Sequence, residues 1–165
     1  MTKPLQCSKK CKSSTQPGFW FRGLRILFGG VLLGAVVFCG ACEKAPVKPV
    51  DISANDVCFY CKSPITEVAF AGEFVTKSGF VRKFDDIGCL LADAKKVGKK
   101  NIQAFYFIDM VSKKWFPAEE VHFLRSDKIR TPRNGGIIAF QDASKAQQIA
   151  SRYQAELVQF DDILK

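Results

Sequence analysis

Two cysteines separated by two residues, Cys58-Phe59-Tyr60-Cys61, are the strongest chemical signal in this 165-residue chain. That spacing lets both sulfurs turn toward one point, as in a metal knuckle. Three readings compete for the pair. A structural disulfide suits an oxidising compartment. A dithiol redox centre would want a helix starting behind the pair to stabilise a thiolate, and Ser63-Pro64 stands there instead. A soft-metal site suits the donors, since thiolates favour Cu(I) or Zn(II).

Other candidate ligands are sparse. Cys89 falls in the first turn of a predicted helix, where the dipole favours a thiolate, and it is either a third ligand or a small core residue. His122, the only histidine, alternates with Val121 and Phe123 on a predicted strand. Met110, the only methionine beyond Met1, follows a strand end. Both are further candidates, with bland packing or surface roles as their alternatives. Sequence signals of hydrolysis and nucleotide binding are missing: there is no Gly-x-Ser-x-Gly and no phosphate-binding P-loop. Asp85-Asp86 and Asp161-Asp162 read as caps and strand ends rather than acid–base pairs.

The elements that position these residues follow from periodicity. Residues 68–76 and 80–84 are rich in Val and Phe, with Lys77-Ser78-Gly79 as a turn between them. Asp85 or Asp86 then caps a helix whose Ile87, Leu90, Leu91 and Ala94 share one face, and Gly98 ends it. Residues 104–108 make a buried strand. The same order returns: strands at 121–124 and 136–140, a helix capped by Asp142 with Ala143, Ala146, Ala150 and Tyr153 on one side, and a strand at 156–160. Phe84-Asp85-Asp86 and Phe140-Gln141-Asp142 lie 56 positions apart. The expected fold is α+β, two similar ββαβ units sharing a core.

The chain's charge has a separate origin. Of 25 basic residues, six lie in residues 1–42 with no acidic residue, leaving 19 basic against 16 acidic in the rest. A nucleic-acid binder would carry its basic patch on the folded domain, so the net charge of +9 does not mark one. The basic stretch ending at Arg25 precedes an apolar run, residues 26–41, in the order of a secretory signal peptide. Gly40-Ala41-Cys42 resembles a bacterial lipobox, with Cys39 at its usual leucine position; it would be cut before Cys42 and lipidated there. An uncleaved signal anchor is the alternative, and in both cases the remainder lies outside the cytoplasm. Residues 1–41 are thus read as a lipoprotein signal peptide, with Cys7 and Cys11 in it given no role. Residues 42–56, with Pro46 and Pro49, are a tether, and 57–165 the metal-binding domain.

In combination these motifs resemble the NosL family. They are Cys58-x-x-Cys61 soon after a lipobox, Phe84-Asp85-Asp86-Ile87-Gly88-Cys89, Trp115 with Ala118, and Thr131-Pro132 before Gly135-Gly136-Ile137-Ile138-Ala139-Phe140. The resemblance implies a copper-binding lipoprotein facing the periplasm or exterior, a metallochaperone rather than an enzyme. It implies Cu(I) as the ligand and nitrous-oxide reductase, or its maturation complex, as the copper-accepting partner. It also implies a duplicated ββαβ fold distantly related to organomercurial lyase. A lyase-like reading, with Cys58, Cys61 or Cys89 as nucleophile, lacks an evident proton donor in the sequence. The chain departs from the family at two motif methionines: Lys62-Ser63 stands for Gly-Met after the cysteines, and Arg133 for the methionine of Thr-Pro-Met. Without those thioethers the expectations are copper held by thiolates alone, another metal such as Zn(II), or the fold without transfer. A structural lipoprotein stapled by a Cys58–Cys61 disulfide is the runner-up.

Overall fold

The computed structural model describes residues 47–165; the segment read as a signal peptide and Cys42, read as the lipid acceptor, lie outside the described residues. Each half of the domain builds the same unit. In the first, β1 (Gly72–Thr76) and β2 (Val81–Phe84) form a hairpin, α1 (Ile87–Val97) crosses over, and β3 (Ile102–Ile108) returns. In the second, β5 (His122–Arg125), β6 (Ile137–Phe140), α2 (Ala143–Tyr153) and β7 (Glu156–Val158) follow in that order. In both, the first strand lies in the middle and pairs antiparallel with the other two, giving β2-β1-β3 and β6-β5-β7. The duplication read from the sequence is therefore present strand by strand. β4 (Trp115–Pro117) adds a fourth strand to the first sheet, on the far side of β3.

The two helices start as their sequences dictate. Asp86 and Asp142 are the N-caps, each accepting from backbone N–H groups of the first turn. Ile87, Leu90, Leu91 and Ala94 are all buried, as the 3.6-residue spacing requires. Gly98 ends α1 at φ 81°, a conformation glycine adopts at little cost. On α2 only Ala146 and Ala150 of the expected face are buried; Ala143 is exposed and Tyr153 half-buried.

Three local expectations are refined. The strand expected over 68–76 is broken: Val68–Phe70 make a 3-10 turn and pairing begins at Gly72. Phe160 does not close the last strand but opens a short helix, α3 (Phe160–Leu164), with Asp161 and Asp162 in its first turn, where acidic residues are favourable. There its ring packs on Phe105, Phe107 and Phe123, at 4.8, 5.5 and 5.7 Å between centroids. Residues from both sheets meet in this aromatic cluster, and Phe107 and Phe123 are themselves at 4.8 Å, edge to face. Finally, residues 47–56, read as tether, lie along the first sheet. Tyr106 Oη donates to the Val47 carbonyl, Val50 N–H to Glu73 Oε1 at 3.0 Å, and Lys83 Nζ to the Asp51 carbonyl at 2.5 Å. Tyr106, Glu73 and Lys83 are cross-strand neighbours on β3, β1 and β2, so each grips one backbone group of the crossing segment.

One asymmetry between the halves matters for the site. The β1–β2 hairpin turns over residues 77–80, whereas β5 and β6 are joined by the much longer segment 126–136. That segment reaches back to the start of α1.

Candidate metal centre

The cysteine knuckle is a small closed loop. Val57 bridges to Pro64, Cys58 N–H donates to the Ser63 carbonyl at 2.8 Å, and Lys62 N–H to the Cys58 carbonyl at 3.0 Å. The turn needs a left-handed residue, and Lys62 supplies it at φ 64°. Its Nζ stays local, donating to the Phe59 carbonyl at 2.5 Å and lying 4.3 Å from the Phe59 ring centroid. The knuckle is docked by one backbone bond, Phe59 N–H to the Lys83 carbonyl at 2.8 Å. Lys83 is on β2, two residues before Asp85, so this bond brings the thiols to the β2–α1 junction.

At that junction the two aspartates divide their work. Asp86 is completely buried. Its Oδ1 accepts from Gly88 N–H at 2.7 Å, and its Oδ2 accepts from the Thr131 hydroxyl at 2.6 Å and Arg133 N–H at 2.8 Å. It thus caps α1 and also holds the 126–136 segment. Gly135 fits because it lacks a side chain: a Cβ there would stand 2.3 Å from Asp86 Oδ1. Asp85 is left free to face the knuckle, and the Cys61 thiol donates to its Oδ1 at 3.4 Å.

The outcome is a four-residue group. One donor atom from each of Cys58, Cys61, Asp85 and Cys89 lies within 4.8 Å of the others. Thiolates bound at about 2.3 Å around one ion stand about 3.8–4.0 Å apart in trigonal or tetrahedral geometry, so the donors need to close by at most about 1 Å. All three thiols are free. Cys58, Cys89 and Asp85 are buried, while Cys61 is partly open to solvent. A cleft of about 360 Å³ opens beside it, lined by Tyr60, Cys61, Asp86, Gly88, Cys89 and Arg133. The donor chemistry fits a soft ion bound deep and approached through Cys61.

The thiols differ in acidity. Burial pushes Cys58 up to about 11, reinforced by hydrogen bonding with Asp85. Burial also raises Cys89, and the neighbouring charges of Cys58, Cys61 and Asp85 raise it further. For Cys61 burial acts upward too, but hydrogen bonds from Ser63 N–H and the Cys58 thiol outweigh it and bring it below the usual thiol value. Cys61 is therefore the most acidic thiol of the group.

Of the candidate ligands named from sequence, the structure brings Cys58, Cys61 and Cys89 together. Cys89 is a core residue whose sulfur also lies within the four-residue group. His122 sits half-buried on β5 opposite Phe140, outside this group. Met110 packs against the core beneath α2, with its sulfur 3.7 Å from Lys113 Nζ. Sequence reasoning missed Asp85, which it treated as a spare cap. The available signal was that two adjacent aspartates precede a helix that needs one cap. Asp85 is also the acid beside the thiols that the sequence did not reveal.

The fold and site together define a duplicated ββαβ domain carrying a cysteine-rich candidate metal site at one β–α junction. The sequence pattern of the NosL family matches residues 49–165, and the chain belongs to that family. Among solved structures it resembles the copper chaperone NosL from Shewanella denitrificans, with TM-score 0.65 and 20% identity, covering 70% of this chain and 95% of that one. No curated protein matches the chain.

Proposed function

We propose that this chain is a copper metallochaperone rather than an enzyme: it binds Cu(I) through Cys58, Cys61 and Cys89 and passes it to an envelope acceptor. The observation that carries this reading is the convergence of three free thiols on one point, two of them buried and one facing a cleft. Soft thiolates suit Cu(I), with Zn(II) as the alternative ion. A partly exposed ligand gives an acceptor thiol or thioether a place to attack, so the ion moves by stepwise ligand exchange. The description of the structural relative as a copper chaperone supports the same reading. Gly40-Ala41-Cys42 supports lipid attachment and a membrane-anchored place in the cell envelope, facing the periplasm or exterior. Membership of the NosL family supports nitrous-oxide reductase, or its maturation complex, as the acceptor.

The test is an oxygen-free competition titration of the reduced full chain against a chromophoric Cu(I) chelator. One equivalent should bind. The Cys58→Ser/Cys61→Ser double variant should lose more than about a hundredfold in affinity, the upper end of what changes outside the ligand set cost. Cys89→Ser should also weaken binding clearly. Unchanged affinity in the double variant would sink the site, and a Cys58–Cys61 bond that resists reduction would favour the structural alternative.

A further inference from the structure

Both family methionines that this chain replaces fall at the same spot. Ser63 and Arg133 are 70 residues apart, yet Arg133 Nη2 donates to Ser63 Oγ. The Arg133 Nε lies 3.3 Å from Asp85 Oδ2. Where two thioethers are expected, a guanidinium thus spans from the knuckle to the one carboxylate of the group.

The arginine is placed by its backbone. Its N–H is held by Asp86 Oδ2, Asn134 N–H donates to the Thr131 carbonyl at 3.0 Å, and Asn134 adopts φ 55°. The loop is therefore fixed to α1 whatever side chain stands at 133. The side chain crosses the mouth of the cleft, half exposed, while Asp85 beneath it is 4% exposed. The Asp85 carboxylate thus meets this guanidinium and the Cys61 and Cys58 thiols.

Donor number separates the two ions that thiolates attract. Zn(II) takes four ligands in a tetrahedron and accepts a carboxylate oxygen as one of them. Cu(I) is satisfied by soft sulfur donors alone. The four-residue group contains three sulfurs and one oxygen, so Asp85 decides whether a fourth, harder ligand is on offer. A positive group beside the site also opposes a divalent ion more than a monovalent one.

We infer that Arg133 is a specificity-determining residue: by engaging the Asp85 carboxylate it withholds the fourth ligand and biases the centre toward Cu(I) against Zn(II). This rests on the metal-binding reading above and deepens it. Arg133 is a positioning residue that acts through Asp85.

The experiment compares the reduced full chain with Arg133→Gln, Arg133→Lys, Asp85→Asn and the Arg133→Gln/Asp85→Asn double variant. Cu(I) and Zn(II) affinities are measured by competition, and Co(II) serves as a spectroscopic probe of tetrahedral coordination. Arg133→Gln should raise Zn(II) affinity about ten- to hundredfold, the worth of one hydrogen bond to a charged group, while Cu(I) affinity changes little. Its Co(II) complex should gain the intense visible bands of a four-coordinate site. Adding Asp85→Asn should cancel both gains, and Arg133→Lys, which keeps the charge, should stay closer to the parent. A merely structural role would move both ions alike and leave the Co(II) spectrum unchanged, and that result overturns the inference. So does an unchanged Zn(II) affinity in Arg133→Gln. Failure of the parent chain to bind Cu(I) would instead count against the chaperone reading, while the Zn(II) and Co(II) measurements still judge Arg133.

Discussion

Asp86 and Asp142 occupy the same place in the two units, and their truncation should have very different costs. Asp142 is exposed and accepts from Ser144 and Lys145 N–H at 2.7 and 3.2 Å. Water can replace it, so Asp142→Ala should cost about 1 kcal/mol, the usual value of a cap. Asp86 is fully buried and makes three bonds, one of them to its own helix and two to the 126–136 segment. Asp86→Ala loses the cap, about 1 kcal/mol. It also strands the Thr131 hydroxyl and the Arg133 N–H, at about 1–3 kcal/mol each. Removing a buried charge returns some desolvation energy, and Arg133 is near enough to solvent for water to help. The expected net loss is therefore about 3–4 kcal/mol, below the simple sum. Equilibrium urea unfolding of the metal-free chain measures both variants, with an unchanged m-value as the check on two-state behaviour. Equal costs for the two aspartates would refute the claim that Asp86 joins the halves at the site.

Two further outcomes follow from the site and the signal. Cu(I) affinity should fall as pH drops: Cys58, pushed up to about 11, and Cys89, also raised, are both protonated near neutrality and must each release a proton to bind. The dependence should be about a hundredfold per pH unit between pH 6 and 8, and about tenfold if only one of them ligates, so a pH-independent affinity would contradict thiolate binding. The mature protein should carry a lipid mass on Cys42, and Cys42→Ala should accumulate as the unprocessed precursor; a mass spectrum with free Cys42 would remove the lipoprotein reading.

The closed group bears on how an ion would be held and released under the proposed function. Cys58 and Cys89 belong to the main core, so their positions are set by packing rather than by the ion. Cys61 lies in the loop turned by Lys62 and is the one thiol in contact with the cleft and with solvent. Exchange should therefore begin at Cys61, with the buried pair releasing the ion last.

What the sequence determined by itself was whatever repeats locally. The ββαβ order was legible because hydrophobic spacing and an aspartate cap recur 56 residues apart, and those signals act within a few residues of their cause. The Cys58–Cys61 knuckle was legible for the same reason. β4 and α3 were not, since three and five residues are too short to show a period. Only the tertiary structure decided the composition of the centre. Cys89 could be core or ligand until the docking of Phe59 on Lys83 set the knuckle against the first turn of α1. Asp85 was a surplus cap until Asp86 took that role and turned it toward Cys61. Arg133 was a missing methionine until the bond from its backbone to Asp86 laid its side chain over Asp85. Each of these contacts joins residues 24 to 48 positions apart, and their proximity is fixed by part-buried hydrogen bonds between elements that no local pattern encodes.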